Sequence, residues 1–176
     1  NIFYDHQFNT GHKRSGLGFE MKSSVYDLNI NLYEAESKIH HVDGVPEVAA
    51  SGYDAEIGAQ VPYLPWANVI ASHYEWEANK NSKDSKGDKI SLEMTLTPNF
   101  VAEVGYDDNN ISGTNNFAKV MFVYPARETP TASTDFVSDT PFVQIDMSSE
   151  LLSIVRRSNK QAIESEGTGV VITRLN

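Results

Sequence analysis

The chain has 176 residues, of which 40% are hydrophobic; it contains no cysteine and carries a formal net charge of -10. This length suits one domain, and the lack of cysteine excludes disulfides and thiolate metal sites. The acidic balance argues against nucleic-acid binding, which needs clustered lysine and arginine. No run approaches the roughly 18 apolar residues of a membrane helix, so only a structure that crosses with strands could span a membrane.

Short alternating segments, separated by turn-formers, run from the N terminus to about residue 125 and predict an antiparallel β-meander. Asn1–Phe8 supplies the first strand. In residues 16–22 and 28–33, large apolar residues alternate with glycine, asparagine or charged residues. Because successive side chains of a strand point to opposite faces, each of these strands has an apolar face and a polar face.

The clearest alternation lies in residues 52–64, where tyrosine, alanine, isoleucine and valine share one face and acidic or amide residues the other. The next strand, residues 66–76, places Ile70, Tyr74 and Trp76 on one face. The residues between them, 63–66, predict a tight turn, because Pro65 fixes its own φ and removes a backbone donor.

Three more strands are predicted at residues 90–97, 101–106 and 117–124. The polar stretches 78–88 and 107–116 predict long loops, so that short turns and long loops alternate along the meander. The total is about eight strands, each near the roughly 9–11 residues of a tilted transmembrane strand. Such strands alternate lipid-facing and lumen-facing residues, which explains an unremarkable average hydropathy.

The C-terminal part has a different pattern. Residues 126–139 are rich in proline, threonine and serine, which predicts an exposed linker, and residues 142–145 could form a last short strand. From Ser148 the run SSELLSIVRRSNKQAIES predicts a helix with a serine cap, and GTGVVITRL predicts a terminal strand. We therefore expect transmembrane β-barrel strands in 1–125, a linker in 126–147, and a helical linker with a terminal strand in 148–176.

Several motifs resemble those of the intimin and invasin family, the inverse autotransporters. The opening NIFYDHQFNTGHKRSGLGFE resembles the family's YDH strand followed by GH, basic residues and GLG, and YDLNINLYEA resembles its next strand. The segments GYDAEIGAQVPYLPWANVIASHYEWE and TLTPNFVAEVGYD are similar to later hairpins of the family. SELLSIVRRSNKQAI is similar, more weakly, to the linker that leaves the barrel.

The resemblance implies an all-β, antiparallel up-and-down transmembrane β-barrel in the outer membrane of a Gram-negative bacterium. The family's barrel has twelve strands and holds a helical linker that leads to a surface passenger. No part of this sequence resembles the family's strands before the YDH motif or its immunoglobulin-like passenger. We therefore expect about eight strands from the C-terminal portion of a twelve-stranded barrel, followed by a short helix or linker.

The function that the resemblance implies is that of a translocator or anchor for adhesin export and surface display, and not that of an enzyme. Its expected partners are outer-membrane lipid and a passenger domain or other envelope proteins; no nucleic acid, small-molecule substrate or cofactor is implied. The alternative is a soluble or envelope-associated β-sheet module with a structural or binding role in a larger complex.

Two sets of residues are predicted to matter. The polar strand residues are expected to face the lumen; they are Glu20, Lys22, Asn29, Asn31, Asp54, Glu56, Gln60, His73, Glu75, Glu93, Glu103 and Lys119. The aromatics near strand ends are expected to lie at the membrane interface; they are Tyr53, Tyr63, Trp66, Tyr74, Trp76, Tyr106, Phe122 and Tyr124. In a soluble sandwich the first set would be solvated and the second would form a core.

Other candidate sites are weak. His40 and His41 are adjacent and point apart, whereas a metal site needs three or four converging ligands. Asp5 and His6 lie near serines, but no strand-turn-helix context surrounds a nucleophile. Lys86-Gly87-Asp88, which is similar to short integrin-binding tripeptides, is expected to be only a turn. We predict no catalytic, cofactor-binding or metal-binding residue.

Overall fold

A computed structural model of the chain describes residues 1–78, 83–147, 156–158, 160–165 and 169–174. Over these ranges the protein is all-β, with strands in two antiparallel sheets and no helix. Within the same ranges no helix is long and apolar enough to cross a bilayer.

The larger sheet has eight strands, and its spatial order follows the chain. Its members are β1 (Ile2–His6), β2 (Lys13–Lys22), β3 (Tyr26–Ala35), β6 (Gly52–Val61), β7 (Leu64–Trp76), β8 (Ser85–Thr97), β9 (Phe100–Asn109) and β10 (Gly113–Phe122). This arrangement confirms the predicted antiparallel up-and-down sheet. It does not confirm a closed barrel, because β1 and β10 are the two edges of the sheet and do not pair with each other.

A second sheet, of four strands, has the order β12-β11-β5-β4. Its strands are β4 (His40–Val42), β5 (Val45–Ala49), β11 (Lys160–Ser165) and β12 (Gly169–Arg174). The β4–β5 hairpin turns at Asp43 and Gly44, whose φ angles of 50° and 83° are those of a two-residue type I′ turn.

The C-terminal helix prediction is wrong for residues 160–165. These residues form β11, which pairs with β5 on one side and with β12 on the other. The two ladders satisfy their backbone groups and override a local helical pattern. The rest of that prediction, residues 148–155 and 159, lies outside the described residues. The strand predicted at the C terminus is present as β12.

The larger sheet has two different ends. Tight turns at 23–25, 62–63 and 98–99 define the short-turn edge; the connections 7–12, 36–51 and 77–84 define the long-loop edge. At the long-loop edge β9 and β10 are joined by residues 110–112 alone, so the loop predicted at 107–116 is mostly strand. The Asn109 side chain closes this turn by accepting hydrogen bonds from the N–H groups of Ile111 and Ser112.

The larger sheet also has two different faces. In one row of the register Leu28, Ile57, Ala71, Ile90 and Tyr106 lie side by side, and we call this side the apolar face. The adjacent row contains Asn29, Glu56, Ser72, Lys89 and Asp107 and belongs to the polar face.

Large side chains on the apolar face are exposed. Leu17 is 57% exposed, Ile57 54% and Val120 74%. Nothing within the described ranges forms a second layer over them. The buried apolar cluster lies elsewhere, where Tyr33 and Trp76 on the polar face meet Ala50, Ala162 and Val170 near the long-loop edge.

Glycines make room for the rings of this cluster. Gly16 pairs with Phe3 and Tyr33, and Gly52 pairs with Tyr33 and Trp76. A Cβ atom at Gly52 would lie 2.2 Å from the Glu75 carbonyl oxygen and 2.8 Å from the Trp76 ring. Only glycine therefore fits at this position without a shift of the backbone or the ring.

Gly52→Ala is expected to destabilise the sheet by about 1–3 kcal/mol, because overpacking displaces neighbouring atoms. Gly58→Ala is the matched control on the same strand and face, since its Cβ would meet nothing closer than 3.8 Å. The control is expected to leave the free energy of unfolding unchanged or raise it by up to about 1 kcal/mol. Equilibrium unfolding in denaturant measures both, and equal effects would contradict the packing argument.

Candidate functional site on the polar face

The chain after β10 folds back along the short-turn edge. Arg127 N–H donates to the Pro98 carbonyl at 2.8 Å, and Ala132 N–H donates to the Thr95 carbonyl at 2.9 Å. Thr131 is only 2% exposed. Most residues of the segment 126–139, which the sequence predicts as an exposed linker, are exposed; carbonyl groups at the end of β8 and in the following turn hold its backbone in place.

The same segment continues to β6. Ser138 N–H donates to the Tyr63 carbonyl at 2.9 Å, and Tyr63 N–H donates to the Pro141 carbonyl at 2.8 Å. Val143 N–H donates to the Gln60 Oε1 at 2.9 Å. Residues 142–145 do not form the predicted strand, because an amide side chain on the polar face, and not a neighbouring backbone, binds Val143.

Arg156 lies across the middle of the polar face. Its guanidinium donates to Glu56 at 3.0 Å and to Glu93 at 2.6 Å, so it links β6 to β8. The Asn31 amide donates to the Arg156 carbonyl at 3.1 Å. Because Glu93 is only 7% exposed, the arginine supplies the positive charge that a nearly buried carboxylate needs.

Other cations balance the remaining acidic groups. Glu93 and Glu103 are directly opposite on β8 and β9, an arrangement that is repulsive by itself. Lys89 and Lys119 contact Glu103 at 2.9 and 3.0 Å. Arg127 contacts Glu93 at 3.5 Å. The polar face is thus an ion-pair network that combines strand residues with residues of the chain after β10.

At the long-loop edge the chain after β10 is held by two further kinds of contact. Arg157 pairs with Asp5 at 2.9 Å, and Ser158 contacts Tyr33 and Arg14. β11 then pairs with β5, with Ile163 opposite Ala49 and Ala50 N–H bonded to the Ala162 carbonyl. The β4–β5 hairpin therefore fixes the chain where it leaves the sheet.

The β4–β5 hairpin is itself tied to the β1–β2 loop. His12 Nε2 lies 3.2 Å from Glu47 Oε2, and the His12 and His40 rings are in edge contact at 5.3 Å. Burial lowers the pKa of His12, although the Glu47 carboxylate opposes the shift. Among the described residues no group of three or more His, Asp or Glu side chains could hold a metal ion.

The structure separates the predicted lumen residues into two sets. Ten lie on the polar face: Glu20, Lys22, Asn29, Asn31, Asp54, Glu56, Gln60, Glu93, Glu103 and Lys119. His73 and Glu75 lie on the apolar face, opposite Ala55 and Tyr53 of β6. Their assignment is corrected because the register with β6, and not the polarity of the side chains, decides the face.

The predicted interface aromatics also divide. Tyr53, Tyr106 and Phe122 lie on the apolar face, and Tyr63 and Tyr124 are exposed at or beyond the short-turn edge. Trp66 donates its indole N–H to the Phe136 carbonyl, and its ring stacks on the Phe136 ring. Tyr74 and Trp76 are corrected: they lie on the polar face, where Trp76 is 1% exposed.

Sequence reasoning missed the residues that hold the chain on the polar face, chiefly Asp5, Arg14, Arg156 and Arg157. Their partners are distant in sequence, and a strand pattern does not reveal pairs of this kind. The β4–β5 hairpin carried a usable signal, because an Asp-Gly pair between short apolar runs is typical of a type I′ turn.

An antiparallel meander with one exposed apolar face, and with its own downstream chain on the other face, is the architecture of a β-domain that can serve as a membrane translocator. The family model for the inverse autotransporter beta-domain matches residues 1–159, and the chain belongs to that family.

No curated protein matches the chain. A solved structure from a study of the in-meso crystallisation of membrane proteins is similar in fold, with a TM-score of 0.73 and 18% sequence identity. The match covers 94% of this chain and 72% of the other. At this identity the likeness supports the fold alone.

The Arg156–Glu93 pair is expected to be strongly coupled. In a double-mutant cycle of Arg156→Met and Glu93→Gln, the coupling energy should be about 1–3 kcal/mol, because the Glu93 carboxylate is nearly buried. The matched control is Lys86–Glu75, which has a similar separation of 2.8 Å but lies at the exposed long-loop edge. Its coupling should stay below about 1 kcal/mol. Equal coupling energies in the two cycles, measured by unfolding, would contradict this account.

Proposed function

We propose that this chain is an outer-membrane β-barrel translocator and anchor of the inverse-autotransporter type, which exports and displays an adhesin-like passenger. The observation that carries the proposal is the apolar face, which continues across all eight strands of the larger sheet with large side chains exposed. Ordinary soluble monomers rarely expose contiguous apolar patches larger than a few hundred Å². Lipid is the environment in which such a face is stable.

The polar face supplies the second half of the proposal. A translocator must carry a chain through a wet interior, and here the chain after β10 contacts the polar face from Gln60 near the short-turn edge to Tyr33 near the long-loop edge. Arg156 lies between these two points, on Glu56 and Glu93. Such a path is that of a linker that leads a passenger outward.

Closure of the barrel is part of the proposal. In hydrocarbon every backbone donor and acceptor needs a partner, so an open strand edge does not persist there. The edges of β1 and β10 are open in the described sheet. We therefore expect strands from outside this sheet to complete the barrel, in line with the twelve strands that the family resemblance implies.

Ile57→Lys distinguishes the proposal from the soluble β-sheet alternative. At the middle of a lipid-facing strand a lysine costs about 2–4 kcal/mol, which should lower the yield of folded protein in outer-membrane fractions severalfold. On a water-exposed sheet the same change is expected to stay within about 0.5 kcal/mol, since Ile57 is already half exposed.

Ser112→Lys serves as the control, because residue 112 lies in the exposed turn between β9 and β10. The measurements are the detergent requirement for extraction and the heat-modifiable mobility on a gel. Unmodified protein that stays in the aqueous fraction, with Ile57→Lys and Ser112→Lys both unchanged in yield, would contradict the proposal and favour the soluble module.

A further inference from the structure

We propose that Phe3, Arg14, Tyr33 and Trp76 form a collar that binds one residue of an extended polypeptide through its backbone, and that Ser158 is the residue bound. This inference rests on the proposed function and specifies how the interior grips the chain in transit. The ligand is an extended peptide segment that has a cationic residue just before the residue bound by the collar.

Glycines allow the collar to form. Along one row of the polar face the residues are, in order, Phe3, Gly16, Tyr33, Gly52 and Trp76. The ring centroids of Phe3 and Tyr33 are 5.3 Å apart, and those of Tyr33 and Trp76 are 5.0 Å apart. The three rings therefore touch across five neighbouring strands, a continuity that Cβ atoms at the glycines would break.

Arg14 completes the collar. Its guanidinium lies 4.3 Å from the centroid of Tyr33 and 5.7 Å from that of Trp76, and its side chain is fully buried. A buried ion pair with Asp5, at 2.7 Å, holds it in place. A cation fixed against two aromatic faces is a rigid donor, well suited to bind a carbonyl group.

The collar binds the backbone of Ser158 from two sides. Ser158 N–H donates to the Tyr33 hydroxyl at 2.8 Å, and Arg14 donates to the Ser158 carbonyl at 2.9 Å. The Tyr33 hydroxyl donates its own proton to Asp54, which leaves its oxygen lone pairs for the incoming N–H. Because both contacts use backbone atoms, residues other than serine can occupy the same place.

The preceding residue supplies selectivity. The Arg157 guanidinium lies 4.5 Å from the Phe3 ring centroid and 2.9 Å from Asp5. The collar can bind the backbone of any residue of an extended chain. An arginine or lysine just before the bound residue adds an ion pair and a cation–π contact, which favours that one position. The chain therefore stops with residue 158 in the collar.

The test uses the complete chain in outer membranes and the rate at which a maleimide labels Ser158→Cys. The chain has no native cysteine, so the label reports that position alone. Tyr33→Phe removes the acceptor for the backbone N–H; loss of one such bond is expected to raise the labelling rate about fivefold to tenfold. Tyr53→Phe, an equivalent change on the apolar face of the neighbouring strand, should leave the rate unchanged.

Arg157→Gln is the second variant, and because it lies outside the sheet it leaves the strands intact. It should raise the labelling rate by a similar factor. The collar is contradicted if neither Tyr33→Phe nor Arg157→Gln changes the rate, or if Tyr53→Phe raises it equally. Failure of the proposed function is distinguishable, because the unmodified chain would then be absent from the outer-membrane fraction.

Discussion

The structure depends on the constraint that the period of a β-strand is two. Antiparallel pairing aligns each strand with the next, so that Leu28, Ile57, Ala71 and Ile90 form one row and Asn29, Glu56, Ser72 and Lys89 the adjacent row. A slip of one residue in any strand would move its apolar side chains among the carboxylates. Both faces, and therefore both proposed environments, follow from this register.

The polar face shows what the register makes possible. Once the carboxylates of Glu56, Glu93 and Glu103 share one side, they repel each other unless cations reach them. Lysines of neighbouring strands form ion pairs with Glu103, whereas Glu56 and Glu93 both pair with Arg156 of the chain after β10. The ion pairs of Arg156 therefore both neutralise carboxylates of the sheet and hold the chain after β10, which connects stability with the anchoring role.

Most of the larger sheet could be predicted from sequence because most strands segregate polar and apolar residues cleanly. The sequence predicts β7 as a strand but not which of its faces belongs to the apolar side, since Ile70, Tyr74 and Trp76 are on one face and Val69 and Ala71 on the other. Only its register with β6 reveals that His73 belongs to the apolar side. The local pattern predicts a helix in place of β11, and the partner strand β5 that makes it a strand is more than 100 residues away. The ion pairs of Arg156 and Arg157 likewise join residues that are distant in sequence, and the alternation of polar and apolar residues does not predict such pairs.

The most direct test of the central claim is a spin-label scan of residues 68–72 in β7, one cysteine at a time, in lipid vesicles. The account predicts that collisions with oxygen, which concentrates in hydrocarbon, peak at Val69 and Ala71. Collisions with a water-soluble nickel complex should dominate at Asn68, Ile70 and Ser72, with Ile70 following its face and not its own hydrophobicity. A water-soluble probe that reaches all five positions equally would contradict the account.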